Sequence, residues 1–111
     1  MDIYFTTKAM QKACSCERDM KREWGDRTAK KLKQRLAEFA AAITLEDIGK
    51  MPGPRCHLLK GDRKGQLAVD LDHPRRLVFR PYQDPVQTKA DGGLDWSKVT
   101  GIVVLEIVDY H

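Results

Sequence analysis

The sequence is short of several things, and each shortage excludes something. No apolar run reaches the length of a membrane span, so no helix is expected to cross a bilayer. Cysteine is scarce and odd in number. Of the three, Cys14 and Cys16 are too close together for an easy bridge, so reduced thiols in a reducing compartment are expected rather than a disulfide framework. Cys14, Cys16, Cys56 and His57 fit no common zinc-ligand spacing. There is no Walker loop, no nucleophilic serine elbow and no carboxylate cluster for a metal, so neither a metal nor a cofactor is expected. The opening Met1-Asp2-Ile3-Tyr4-Phe5 has no basic stretch and no signal-peptide core, which points to a cytoplasmic location and no membrane partner.

Acid is scarce in one stretch. Residues 55–80 carry seven basic and three acidic side chains, against 11 and 8 in residues 1–54 and two and five in residues 81–111. The middle segment, under a quarter of the chain, thus holds an excess equal to the whole formal charge of +4. That concentration suits a polyanion, although solubilising charge of this size is common.

What is present describes one folded domain over residues 1–111. The length supports a single core, and 41% hydrophobic with 32% charged residues is the balance of a folded chain. Residues 2–5 read as a short strand with Ile3 and Phe5 on one face. Thr6 or Thr7 can cap a helix carrying Met10, Ala13, Cys14, Met20 and Trp24 that continues to Glu23 and stops at Gly25. Asp26 can cap a second helix, from residue 27 to about 42, whose apolar stripe is Ala29, Leu32, Leu36, Phe39, Ala40 and Ile43. Two helices across so short a break suggest an antiparallel hairpin. Thr44-Leu-Glu-Asp47 resembles a capping box for one turn ending at Gly49. Met51-Pro-Gly-Pro54 then breaks regular structure.

From Cys56 the period changes to two. Strands are expected over residues 56–60, 66–72 and 75–80, joined by the basic turn Asp62-Arg-Lys-Gly65 and by His73-Pro74. Residues 82–98 form a long loop that Trp96 can pin to the body by packing. Val99 to Val108 is apolar on both parities, as a central strand covered on both faces would be, and runs directly into Asp109-Tyr110-His111. The order β-α-α-β-β-β describes an α+β domain, with an N-terminal helical hairpin packed on an antiparallel sheet.

The polar residues suit one chemistry. RNA cleavage without a metal needs a base to take the 2′-hydroxyl proton, an acid to protonate the departing 5′-oxygen, and cations for the crowded phosphorane. Two histidines, His57 and His111, lie in the expected strands with Lys60, Arg63, Lys64, Arg76 and Arg80 nearby in sequence. If the strands pair as a meander, these residues can converge with Asp109 and Tyr110. Histidine is the natural acid or base near neutrality, arginine and lysine stabilise phosphate charge, and tyrosine can stack on a base.

Three segments carry a resemblance: His57-Leu-Leu-Lys60-Gly-Asp-Arg-Lys-Gly65-Gln, Arg76-Leu-Val-Phe-Arg80, and Glu106-Ile-Val-Asp-Tyr-His111. Together they resemble the RelE/ParE superfamily of toxins from type II toxin–antitoxin systems, in particular its HigB-like plasmid maintenance killer branch. The resemblance implies a RelE-like, microbial-ribonuclease-like fold. It implies ribosome-dependent endonucleolytic cleavage of mRNA that arrests translation. It also implies a HigA-like antitoxin partner, and operator DNA bound only through the antitoxin complex. Carried over residue by residue, it makes His57, Lys60, Asp109, Tyr110 and His111 the catalytic group, and Arg63, Lys64, Arg76 and Arg80 the RNA-binding cations. Which histidine gives and which takes a proton is left open, though a carboxylate terminus on His111 would favour its imidazolium form.

Two features depart from the family pattern. Asp70 stands in the middle strand where many relatives carry a basic residue, and a negative charge near an RNA path is expected to weaken binding. The 82–98 loop is longer than is usual. Both leave room for a second reading: a catalytically inactive protein of the same fold, a killer-suppression or regulatory component that binds an antitoxin or operator DNA. Gyrase inhibition, as in the ParE branch, has no evident use for Asp109-Tyr110-His111.

Overall fold

The alternation at residues 67–79 builds the centre of the molecule. In the computed structural model, which describes residues 1–109, β3 (Leu67–Asp70) and β4 (Arg75–Pro81) pair antiparallel, with Leu67 opposite Phe79 and Val69 opposite Leu77. β2 is only His57–Leu58, antiparallel to β3. On the other side of β4 lies β5 (Gly101–Asp109), also antiparallel, and beyond it β1 (Asp2–Phe5). The sheet order is β1-β5-β4-β3-β2. Among the described residues there are five strands, one for each stretch the sequence marks, although the order β-α-α-β-β-β counts four. The meander is antiparallel as read, while β1 lies parallel to β5 at the edge. Nothing local announces a parallel pair formed by residues a hundred positions apart.

One register detail decides which side chains face where. Val78 pairs with Glu106 and Phe79 with Val104, so Leu105 is an extra residue, a bulge in β5. The bulge lets Ile102, Val104 and Ile107 all face the helices, although the last breaks the alternation.

The helices differ from expectation at one point. Instead of one helix up to residue 23 there are two, α1 (Lys8–Ala13) and α2 (Glu17–Trp24), broken at Cys14-Ser15-Cys16. The Ser15 hydroxyl donates to the Lys12 carbonyl at 2.6 Å, a local bond that competes with helix continuation. Glu17 and Asp19 then favour a fresh helix start. The step from Cys14 to Met20 was the available signal, since six residues is not a helical repeat of one face.

Gly25, at φ +85°, turns the chain into α3 (Asp26–Ala41). Glu17 and Lys33, each eight residues from that glycine, form an ion pair at 3.2 Å, so α2 and α3 fold back on each other as the hairpin requires. Ala29, Leu32 and Phe39 are fully buried against Leu67, Leu77, Phe79, Ile102 and Val104. Phe39 meets Phe79 edge-to-face with ring centroids 5.0 Å apart. Arg35, inside this stripe, is also buried. It donates to the carbonyls of Asp70 (2.7 Å) and Gly53 (3.2 Å) and pairs with Glu38 at 2.9 Å, stapling α3 to the end of β3.

α4 (Leu45–Gly49) begins with its capping box: the Asp47 carboxylate accepts from the backbone N–H groups of Ile43 (2.9 Å) and Thr44 (3.3 Å). These bonds hold the Asp47 carboxyl below the usual carboxylate range. Trp96 lies so close over Gly49 that a Cβ there would meet the indole at 3.0 Å. This is how the long 82–98 loop is pinned, by packing as the sequence suggested. Among the described residues, no helix is long and apolar enough to cross a membrane.

Candidate nucleic-acid interface

Side chains that alternate with the core strand positions face away from the helices. Register places His57, Ala68, Val78 and Glu106 in one row across this open face, and Asp70, Arg76 and Val108 in another. Ala68 and Val78 are nevertheless fully buried, and the segment between β2 and β3 reaches across the row through Arg63. That strap, residues 59–66, contains a 3-10 turn at Gly61–Arg63 and closes on the bond from the Leu59 N–H to the Gln66 carbonyl, 2.9 Å. Its Arg63 bonds the Gln66 side chain at 3.1 Å and reaches across the sheet to an ion pair with Glu106.

His57 sits half-buried on β2. Its Nδ1 lies 2.7 Å from the Arg55 carbonyl. A carbonyl only accepts, so Nδ1 carries a proton, and in the neutral ring Nε2 holds the lone pair. Such a ring can accept a proton at Nε2. Lys60 and Lys64 are exposed on the strap.

Arg76 lies two strands further, on β4, its Nε 3.3 Å from Asp70 Oδ1 on β3. The other Asp70 oxygen is 3.4 Å from Arg55 Nη1. Asp70, the acid that departs from the family pattern, thus stands between two guanidinium groups. Arg55 adopts φ +50°, a left-handed backbone that residues with a Cβ seldom take. Sequence reasoning missed Arg55. No periodicity marks it, since a left-handed residue lies outside the alternation of the strand that follows.

The structure does not bring all the candidate residues together. Asp109 pairs with Arg75 on the helix side and borders a cleft with Trp24, Gly25, Thr28 and Asp72, on the face opposite His57. It lies three strand spacings from His57, roughly 14 Å across the sheet. Arg75 donates to the carbonyl of Trp24 at 2.7 Å and to Thr28 at 2.8 Å. Arg80 is on the open face but four residues along β4 from Arg76, about 13 Å away. It borders a separate cleft of about 600 Å³ with Gly65, Tyr82 and Val86. Beside it Tyr82 stacks on Tyr4 with ring centroids 4.1 Å apart, an exposed aromatic pair that sequence reading did not single out. Tyr110 and His111 lie outside the described residues.

Burial pushes the Cys14 thiol up to about 11 and that of Cys56 up to about 12, so both are poor nucleophiles and poor ligands near neutrality. Among the described residues, no three His, Cys, Asp or Glu side chains are grouped to hold a metal ion.

No protein-family model matches the chain, and no curated protein does. Solved structures do match. A YoeB/ParE toxin from Agrobacterium tumefaciens aligns over 100% of both chains with a TM-score of 0.57 at 13% identity. The YoeB-YefM complex from Staphylococcus aureus aligns over 100% of this chain and 97% of the other, with a TM-score of 0.56 at 16% identity. At such identities the likeness concerns architecture, and in architecture this chain has the RelE-like α+β fold of the YoeB/ParE toxins.

Proposed function

We propose that the protein is the toxin of a type II toxin–antitoxin system, a HigB-like endoribonuclease that cleaves mRNA on the ribosome. The observation that carries this reading is His57, held in one tautomer by the Arg55 carbonyl on the same open face as Arg76. Its Nε2 would take the 2′-hydroxyl proton as that oxygen attacks the adjacent phosphorus. The bond to the 5′-oxygen breaks, and a protonated group, for which His111 is the candidate, returns a proton to it. The products are a 2′,3′-cyclic phosphate and a 5′-hydroxyl. Lys60, Lys64, Arg76 and Arg80 supply phosphate charge, Arg63 does so once released from Glu106, and Tyr110 positions a base. Asp109 would orient the terminal group from the helix side. The likeness to a YoeB-YefM complex supports an antitoxin partner, here HigA-like, with operator DNA bound only through that complex.

Expression without the partner, with mRNA ends mapped by primer extension, tests the reading. Arrested growth with new internal ends is expected, and His57→Ala should lower cleavage on the order of a hundredfold or more. Normal growth and intact messages at confirmed expression would refute it.

One observation favours a second reading, a non-catalytic binding protein of the same fold: Asp109 and His57 occupy opposite faces of the sheet. In that case the chain would co-purify with its partner, leave messages intact, and show no change with His57→Ala or His111→Ala.

A further inference from the structure

The proposed cleavage needs a cation fixed at the phosphate beside the base, and one residue not yet given a role is built for that place. We propose that Arg55 is an RNA-contacting residue that binds the phosphate under attack, and that Asp70 is the positioning residue that holds it. The inference deepens the nuclease reading above and rests on it.

Three observations converge on Arg55. Its carbonyl fixes the His57 tautomer at 2.7 Å, so the proton acceptor and the guanidinium are set by the same residue. Its side chain is 70% exposed, yet Nη1 lies 3.4 Å from Asp70 Oδ2, so the head group is tethered while remaining open to a ligand. A guanidinium carries five N–H donors in a fixed fork, and one ion-pair edge leaves others for phosphate oxygens. Finally, its backbone is held at φ +50° directly after Pro54, whose carbonyl accepts from the Asp70 N–H at 2.8 Å. The loop is thus locked to β3 by main chain as well as side chain.

Asp70 explains the arrangement from below. Its side chain is 22% exposed, and its two oxygens face two different arginines, Arg76 at 3.3 Å and Arg55 at 3.4 Å. The Asp70 carbonyl is in turn held by buried Arg35 at 2.7 Å. A carboxylate fixed in this way spaces two guanidinium groups instead of repelling a substrate. A small cleft of about 120 Å³ lies among Arg55, Asp70, His73, Arg75 and Arg76, and three of these five are arginines that a phosphate would meet.

The test is single-turnover cleavage of mRNA on programmed ribosomes, with an ordinary scissile phosphate or one carrying a non-bridging sulfur. Arg55→Gly keeps the left-handed backbone and the carbonyl for His57 and removes only the cation. It should slow cleavage on the order of a hundredfold. The penalty for sulfur seen in the full chain should shrink with it, because the oxygen's partner is gone. Asp70→Asn should lose rate in the same direction and also blunt the sulfur effect. Unchanged cleavage by Arg55→Gly, or slower cleavage with the full sulfur penalty retained, would overturn the role of Arg55. Faster cleavage by Asp70→Asn would show that Asp70 simply repels RNA. If Arg76→Ala and Lys60→Ala slow the reaction while Arg55→Gly does not, this inference fails and the nuclease reading stands. If the unmodified chain cuts no message at all, both fall together.

Discussion

The two faces of the sheet are built from the same strands by opposite rules. On the helix side, Leu67, Val69, Leu77, Phe79, Ile102 and Val104 are all fully buried and apolar. On the open side the same strands present Asp70, Arg76, Arg80 and Glu106, and bury Ala68, Val78 and Val103. The first face specifies the fold through water exclusion, which is non-directional and tolerant of exact partners. The second is held by charge pairs at particular distances, and it is where the proposed chemistry lies. Substitutions should separate accordingly: stability on one face, activity on the other.

The largest expected effect tests the first half of that statement. Phe79→Ala removes a fully buried ring that packs edge-to-face on Phe39. It should cost about 4 kcal/mol in urea unfolding. A loss under about 1 kcal/mol would mean that the helix layer is not packed on β4 as described.

Arg35→Met comes next, and it probes whether the faces are independent. Arg35 belongs to the helix side, yet its Nε holds the carbonyl of Asp70, whose side chain is on the open side. Removing it leaves Glu38 with only the Gln34 amide at 3.3 Å and takes a donor from two carbonyls, a loss of about 3 kcal/mol. It should also disturb the Asp70 pairs and so reduce any RNA cleavage beyond what stability accounts for, measured at a temperature where the variant is fully folded. Full activity in the folded variant would show that the open face is supported by the sheet alone.

The same contrast explains what could be read from the sequence. The helix-side pattern was legible: the stripe from Ala29 to Phe39, the alternation from Leu67 to Leu71 and the stop at Gly25 all report one-sided burial, which periodicity records. Arg35 was not, because a buried cation on an apolar stripe is marked only by its distant partners. The β1–β5 pairing and the Leu105 bulge were also hidden, since both depend on contacts between remote segments. On the open face the residue types were legible and their partners were not. Arg63 and Arg76 were read as RNA-binding cations, but whether each meets Glu106 or Asp70 is a matter of register, and register comes from the assembled sheet. Arg55 was overlooked because its role comes from a carbonyl and a backbone angle.

The smallest expected effect sharpens the open face itself. Glu106→Gln removes the acid that anchors the strap through Arg63. The pair is a third to a half exposed, so solvent screens it and global stability should fall by less than about 1 kcal/mol. The local effect should be larger. The N–H groups of Lys64 and Gln66, bonded to the carbonyls of Gly61 and Arg63, should exchange with solvent faster. Amides of β4 should not change. Raising salt should speed strap exchange in the unmodified chain and do little in the variant, because the ion pair is what salt weakens. Exchange at Lys64 and Gln66 that is equally slow in both would mean that packing over Ala68 and Val78 holds the strap. The open face would then be organised by burial after all, and Arg63 could leave Glu106 for a phosphate without loosening the strap.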